Sequence, residues 1–120
     1  MRVFVYYNLH KKIFSVKALE GPSKGKVISH SNDLVLENIE FKVSQAGRAR
    51  VLREKQKNVH AGVSGTWREH DRYDAVYNPS MVAITYNPYK YSSFVLKDNE
   101  EPIFNAKLAV LKNRSIFATI

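Results

Sequence analysis

Apolar side chains recur at every second position over residues 3–7, 14–18 and 39–43. A period of two, built from β-branched and aromatic residues, is typical of β-strands with one buried face. The polar residues 8–12 between the first two runs suit a hairpin loop, and 20–26, with two glycines and a proline, predict a turn. Further strands are predicted for residues 26–29, 34–36, 59–67, 82–86, 94–97, 108–111 and 116–120, and the last two are predicted to form a closing hairpin across 112–115.

One segment has the composition of a helix, SQAGRARVLREKQ, residues 44–56. Ser44 suits the N-cap, because its hydroxyl accepts a hydrogen bond from a free backbone N–H of the first turn. Gly47 is a local weakness, and Asn58 is the predicted stop. The apolar side of this helix is thin and is assigned to Ala49 and Leu52, with Val51 to one side.

Together these elements predict an α+β fold, mainly an antiparallel β-sheet of several short strands with one short basic helix at about 44–56. Parallel strands would need further helices as crossovers, and the pattern offers none. Residues 68–80 are charged and rich in turn formers, which predicts a loop. The length of 120 residues predicts a single domain, 1–120.

The charge of the chain indicates what it binds. A formal net charge of +8 and a pI near 9.8 favour polyanions such as nucleic acid, a phosphorylated ligand or an acidic protein. Residues 42–72 hold eight Lys and Arg against three Asp and Glu, a net charge of +5. On the predicted helix, the three-and-four spacing places Arg50, Arg53 and Lys57 on one face, which suits phosphate contact. The alternative is a solvated face with weak ion pairs such as that of Arg50 with Glu54.

The stretch KNVHAGVSGTW, residues 57–67, is the candidate wall of a ligand site. As a strand, its core face carries Val59, Ala61, Val63, Gly65 and Trp67. The other face carries His60, Ser64 and Thr66 around the bare backbone of Gly62, where a ligand would find donors on both sides. The alternative is that His60 and Ser64 satisfy each other or cap the preceding helix, and that the glycines let a neighbouring side chain pack.

Aromatic side chains are interleaved with polar turns in the second half of the chain. Tyrosine and asparagine in loops can stack on a base and contact its edge, although most tyrosines also serve as core anchors with a polar tip. Tyr89 and Lys90, beside Pro88, are the pair expected to face outwards.

Signatures of enzymes, metals and membranes are missing from the sequence. It contains no glycine-rich phosphate loop, no cysteine, no histidine pair at metal-ligand spacing and no apolar run of membrane length. No catalytic residue, metal or cofactor is therefore predicted. The N-terminus is interpreted as a first strand, not a signal peptide, which predicts a cytoplasmic protein. A ribonuclease that uses His60 with His70 or Glu69 is the enzymatic alternative.

Three segments, FVYYNLHKKIFSVKALEG, FKVSQAGRARVLREKQKNVHAGVSG and YNPYKYSSFV, resemble a family of small proteins encoded by tailed bacteriophages. The resemblance runs from Phe4 to Val95 and is weakest over 68–80. It implies an accessory protein in the cytoplasm of an infected bacterium and brings no catalytic residue with it.

The resulting hypothesis is a non-enzymatic phage accessory protein that binds a nucleotide signal or a nucleic acid, in the setting of counter-defence. Its candidate site residues are Arg50, Arg53, Lys57, His60, Gly62, Ser64, Thr66, Tyr89 and Lys90. A protein-inhibitor module that docks on an acidic host protein is the alternative from another class. A homo-oligomer with a site between subunits also stays open.

Overall fold

The computed structural model describes residues 1–67 and 81–119, so the loop predicted at 68–80 lies outside the described residues. The described part forms nine strands and one helix. The elements are β1 (Arg2–Asn8), β2 (Ile13–Ala18), β3 (Val27–Ser31), β4 (Asp33–Val43), α1 (Gln45–Glu54), β5 (Ala61–Trp67), β6 (Val82–Thr85), β7 (Val95–Leu96), β8 (Asn105–Lys112) and β9 (Ser115–Thr119).

All the strands join one sheet in the order β3-β2-β1-β5-β4-β8-β9-β6-β7. Every pairing between neighbouring strands is antiparallel. The predicted class, a mainly antiparallel sheet with one short helix, is therefore confirmed. No helix in the described part of the chain has the length and apolar character needed to cross a membrane.

Two of the predicted hairpins have clear local causes. The Asn8 side chain accepts hydrogen bonds from the backbone N–H groups of His10 and Lys11, which closes the β1–β2 loop. Between β8 and β9, Asn113 and Arg114 adopt positive φ angles of 48° and 78°, the conformation of a two-residue type I′ turn. This turn brings Arg114 to one end of the sheet.

The predicted break between strands 34–36 and 39–43 is wrong, because β4 runs through both. Its register against β5 shifts between Glu37 and Glu40, where Asn38 has a φ of +51°. An extra residue of this kind is a β-bulge, which interrupts the alternation without ending the strand.

The main core lies on one face of the sheet. It takes buried side chains from most of the strands, including Val3, Val5, Phe14, Val16, Leu36, Val63, Ile84, Ala109, Leu111 and Ala118. Phe94 and Ile103, from the chain around β7, pack into the same cluster. The alternating positions in β1 and β2 that predicted these strands are thus the positions that bury apolar surface.

The helix confirms the predicted N-cap and corrects the predicted end. The Ser44 hydroxyl accepts the backbone N–H of Gly47 at 3.1 Å. The helix stops at Glu54 and not near Asn58, because Lys55 takes the left-handed conformation and donates its N–H to the Val51 carbonyl. Lys57 therefore lies beyond the helix, and the predicted shared face with Arg50 and Arg53 is wrong.

The buried side of the helix also differs from the prediction. Val51 is buried, whereas Ala49 and Leu52 are exposed. The first turn is tied to the chain after Tyr89, since Gln45 Nε2 and Arg48 Nε donate to the carbonyls of Ser92 and Tyr91. These tertiary contacts, together with Val51, set which side of the helix faces inwards.

Candidate functional site

A cleft of about 600 Å³ opens on the core face of the sheet. One wall comes from β1 and β2 with Tyr7 and Phe14, and the other from β6 and the chain after it with Thr85 and Tyr86. Four strands separate β1 from β6 in the sheet order, so the sheet must curl for these residues to line one cavity. Its volume is in the range of small-molecule sites.

His60 lies in the wall of this cleft, just before β5. The strand begins at Ala61, not at Val59 as predicted, and Val59 is 45% exposed instead of facing the core. The backbone carbonyl of His60 accepts the N–H of Ser44 at 2.7 Å, which holds this segment against the start of α1. This backbone hydrogen bond thus fixes the position of His60 independently of the contacts that its ring makes.

Two hydrogen bonds orient the His60 ring. Its Nδ1 lies 2.8 Å from the Asn58 carbonyl oxygen, and its Nε2 lies 2.7 Å from the Tyr86 hydroxyl. A carbonyl oxygen only accepts, so Nδ1 carries a proton, and in the neutral ring Nε2 accepts from the Tyr86 hydroxyl. The expectation that His60 pairs with Ser64 is wrong, since its partners are Tyr86 and Asn58.

The Tyr86 phenol is suited to remain a donor. Burial raises the pKa of Tyr86 above its ordinary value, against the opposing effect of the Arg48 guanidinium. Its ring contacts both His60 and Phe94, with centroid separations of 5.4 and 5.2 Å, and Phe94 in turn contacts Phe41. This row of rings connects the cleft wall to the core and holds the dyad of His60 and Tyr86 in place.

Gly47 explains how the helix approaches His60. A Cβ atom at this position would lie 2.5 Å from the Cβ of His60, which is closer than real carbon atoms approach. The glycine that weakens the helix by about 1 kcal/mol relative to alanine therefore lets the first turn pack against the histidine. The glycine lowers the stability of the helix, but it allows His60 to lie against the first turn.

Replacing Tyr86 by phenylalanine tests the dyad. Tyr86→Phe removes the hydroxyl and leaves the ring, so we expect a loss of about 1 kcal/mol in the free energy of unfolding. Nitrogen NMR should also show a changed electronic environment at His60 Nε2, while Nδ1 keeps its proton. Tyr89→Phe, on an exposed ring, is the matched control, and equal behaviour of the two variants would contradict the assigned bond.

Among the described residues that line the cleft, the charged side chains are cationic. Lys57 and Arg114 belong to the lining, and none of the described lining residues is Asp or Glu. The Arg114 guanidinium lies 5.2 Å from the centroid of the Tyr7 ring. A guanidinium held over an aromatic ring keeps N–H donors for an anion. The cleft therefore combines apolar walls with positive charge.

Tyr89 lies in the lining and is 54% exposed. The turn that presents it begins at Asn87, whose side-chain oxygen accepts the backbone N–H of Tyr89 at 2.9 Å. The expectation that Tyr89 faces outwards is confirmed. Its ring offers an apolar face to a ligand in the cleft.

Three of the other predicted site residues are engaged outside the cleft lining. Arg50 and Arg53 are exposed and share Glu54 as an ion-pair partner at 3.8 and 3.5 Å. Lys90 is exposed as predicted, and its Nζ lies 3.6 Å from Glu100 and 5.6 Å from the Tyr91 ring centroid. The Tyr91 hydroxyl donates to Glu100, and this bond, reinforced by Lys90, lowers the pKa of the Glu100 carboxyl.

Of the predicted polar face, only His60 and Gly62 line the cleft. The position where Gly62 would carry a side chain is occupied by the Phe4 ring, 2.4 Å from an ideal Cβ. Ser64 is buried at 1% exposure, and neither Ser64 nor Thr66 lines the cleft. Gly62 itself does line it. The glycine thus lets a neighbouring side chain pack, as the alternative interpretation predicted.

Sequence reasoning missed two residues of this site, Tyr86 and Arg114. Tyr86 carried only a weak signal, as the last residue of the predicted strand 82–86 and one of several tyrosines in or near loops. Arg114 stands in a turn of the predicted final hairpin, and nothing in its spacing indicates a contact with Tyr7. The two possible partners of His60 in a ribonuclease, Glu69 and His70, lie outside the described residues.

Comparisons with known proteins give a family. A family model described as Mycobacterium phage L5 gene 82 protein matches residues 1–119. The Gene 82 protein of Mycobacterium phage L5 is 38% identical over 124 residues, in an alignment that covers 98% of this chain and 95% of that protein. No solved structure matches the chain. The resemblance to phage proteins that was drawn from the sequence motifs is confirmed.

Proposed function

Because this chain belongs to the family of Mycobacterium phage L5 gene 82 protein, we propose that it is a phage accessory protein that binds a small phosphate-bearing ligand. The site is the cleft between β1 and β6, and the ligand is of the nucleotide type. Binding, without chemical conversion, is the activity.

One observation carries this proposal, namely the composition of the cleft wall. The wall combines several aromatic rings with Lys57 and Arg114, and its described residues include no carboxylate. A nucleotide has a flat aromatic part and an anionic part, and it needs both kinds of surface at once. An uncharged apolar ligand would leave the two cations without a role, and a bare anion would leave the rings without one.

Each part of the ligand has a proposed contact. Lys57 and Arg114 bind the phosphate, because charge-assisted hydrogen bonds are the strongest polar contacts that side chains make. The exposed face of Tyr89 stacks on the base. The bond to His60 fixes the Tyr86 hydroxyl, whose oxygen can still accept a hydrogen bond from the base or sugar.

The phage setting suggests a use for such binding. We place the protein in the cytoplasm of the infected bacterium, where a nucleotide signal held in the cleft would be withdrawn from its receptor. Such sequestration needs no catalytic group, which agrees with the failure of the sequence to present a known catalytic motif. Counter-defence is the proposed outcome.

Backbone NMR tests the location of the site. Titrating labelled protein with single mononucleotides and dinucleotides up to about 1 mM should shift the amides of Lys57, His60, Asn87 and Arg114, and leave that of Arg53 in place. Absence of any shift with every nucleotide, or shifts confined to the helix, would refute the cleft as the site.

A second candidate is nucleic-acid binding by the helix. The side chains of Arg50 and Arg53 are 63% and 72% exposed, so both are accessible to a phosphate backbone. Polymer binding of this kind falls steeply with salt, because counterions are released. A steep salt dependence that Arg53→Glu makes shallower would favour this second function over the cleft.

A further inference from the structure

We propose a second binding surface at the β3 edge of the sheet, beside a groove that shares Tyr6, Val59, His60 and Ala61 with the lining of the cleft. Its partner is an extended acidic segment of another protein, which adds a strand beside β3 and places an apolar side chain in a neighbouring groove. The proposal does not depend on a ligand in the cleft.

The backbone of β3 supplies the first argument. β3 stands at one end of the strand order and, within the described part of the chain, pairs only with β2. An edge strand directs alternate N–H and C=O groups outwards, where a further strand can pair with them. Val27 and Ile28 in this strand are 44% and 38% exposed, a large apolar surface for an edge.

A groove of about 470 Å³ adjoins this edge and supplies the second argument. Phe4 and Tyr6 contribute aromatic rings to it, Val27 and Val59 contribute exposed aliphatic side chains, and Lys17 contributes a cation. β-Augmentation takes its affinity from the main chain and its specificity from pockets for alternate side chains. The groove is such a pocket, and its lining runs from Val27 of β3 past Lys17 of β2 to β1.

Charge identifies the partner. Lys17 lines the groove, and Lys24 and Lys26 stand in the turn that leads into β3. Residues 21–32 contain no Asp or Glu. A partner segment with carboxylates two positions before and after its apolar residue, on the same face of the added strand, therefore meets complementary charge.

A second copy of this chain is the competing occupant, and charge disfavours it. Pairing two β3 edges would bring together two proteins that each carry a formal charge of +8. Like charges placed opposite each other in an interface oppose association. The edge is thus better matched to an acidic partner than to itself.

The experiment uses a ten-residue labelled peptide with glutamate two positions before and two positions after a central valine and threonine elsewhere, so that these three side chains share one face of the added strand. It measures anisotropy and backbone NMR shifts of the full chain. We expect saturable binding with shifts at Val27–Ser31 and Lys17, and a loss of about fivefold in affinity for Lys17→Glu. Lys97→Glu, the same charge change beside β7 at the opposite edge of the sheet, should leave the affinity within about twofold.

Several outcomes would overturn the proposal. They are the absence of β3 shifts at about 1 mM peptide, equal losses for both lysine variants, or equal binding of a peptide with lysine in place of glutamate. A dimer of the free protein that Val27→Glu dissociates would assign the edge to a second copy, and it would also overturn the proposal.

Discussion

Reversing the charge of Lys57 should weaken nucleotide binding in the cleft by at least about tenfold, since one hydrogen bond to a charged group contributes about 1.5–3 kcal/mol. Arg114→Glu should act similarly, because Arg114 also lines the cleft and lies over Tyr7. Lys57 is exposed and lies beyond the helix, so its substitution should leave the free energy of unfolding nearly unchanged. Isothermal titration with the tightest nucleotide from the NMR panel measures the effect.

Arg53→Glu is the matched control for these variants. It makes the same change of charge on the same stretch of chain, but Arg53 lies outside the cleft lining and pairs with Glu54. We expect its affinity for the nucleotide to stay within about threefold of the parent, since exposed charges that do not contact the ligand act weakly through screening. If Arg53→Glu lost as much affinity as Lys57→Glu, net charge and not the cleft would govern binding.

Substitution of Gly62 by alanine should destabilise the protein by about 3 kcal/mol, at the upper end of overpacking effects. The new Cβ would lie 2.4 Å from the Phe4 ring and 2.5 Å from the Val5 carbonyl oxygen. The ring can move, but the oxygen belongs to the backbone of a strand whose ladder with β5 would have to shift. Urea denaturation measures the loss.

Two controls separate this cause from a general intolerance of glycine substitution. Gly21→Ala meets no atom within 4 Å and bears only the strain of its φ of +78°, so about 1 kcal/mol is expected. In Gly62→Ala, shortening Phe4 to leucine should restore only part of the loss, because the Val5 oxygen remains. A loss at Gly62 no greater than at Gly21 would contradict the close packing.

Local patterns predicted the strands where alternation and burial coincide. β1, β2 and β8–β9 follow from their apolar positions and turn residues, since hairpin contacts lie close in sequence. β4 was divided in the prediction because Asn38, with its positive φ, interrupts the alternation. A bulge and a turn look alike in sequence, and only the register against β5 and β8 distinguishes them.

The prediction that Lys57 shares a helix face with Arg50 and Arg53 failed for a similar reason. Lys55, Gln56 and Lys57 are good helix formers, so composition extends the helix to 56. Burial of Val51 and the left-handed Lys55 end it earlier, and Lys57 then falls in the cleft lining while Arg50 and Arg53 do not. Spacing along a helix is informative only up to the residue at which the helix ends.

Contacts between distant strands of the sheet could not be predicted from the sequence. His60 was identified from its polar neighbours, but its partner Tyr86 is 26 residues away, and Arg114 meets a ring near the other end of the chain. These contacts depend on the strand order, which local periodicity does not determine. The Phe4 ring over Gly62 is the same kind of contact, between strands that are neighbours in the sheet but distant in sequence.

Native mass spectrometry tests the central claim most directly. The protein is mixed with an equimolar set of mononucleotides, dinucleotides and a short oligonucleotide, and the experiment is repeated with Lys57→Glu and Arg53→Glu. We expect one-to-one adducts of a small nucleotide that Lys57→Glu loses and Arg53→Glu keeps. Adducts of the oligonucleotide alone, lost in Arg53→Glu and kept in Lys57→Glu, would contradict the cleft and assign binding to the helix.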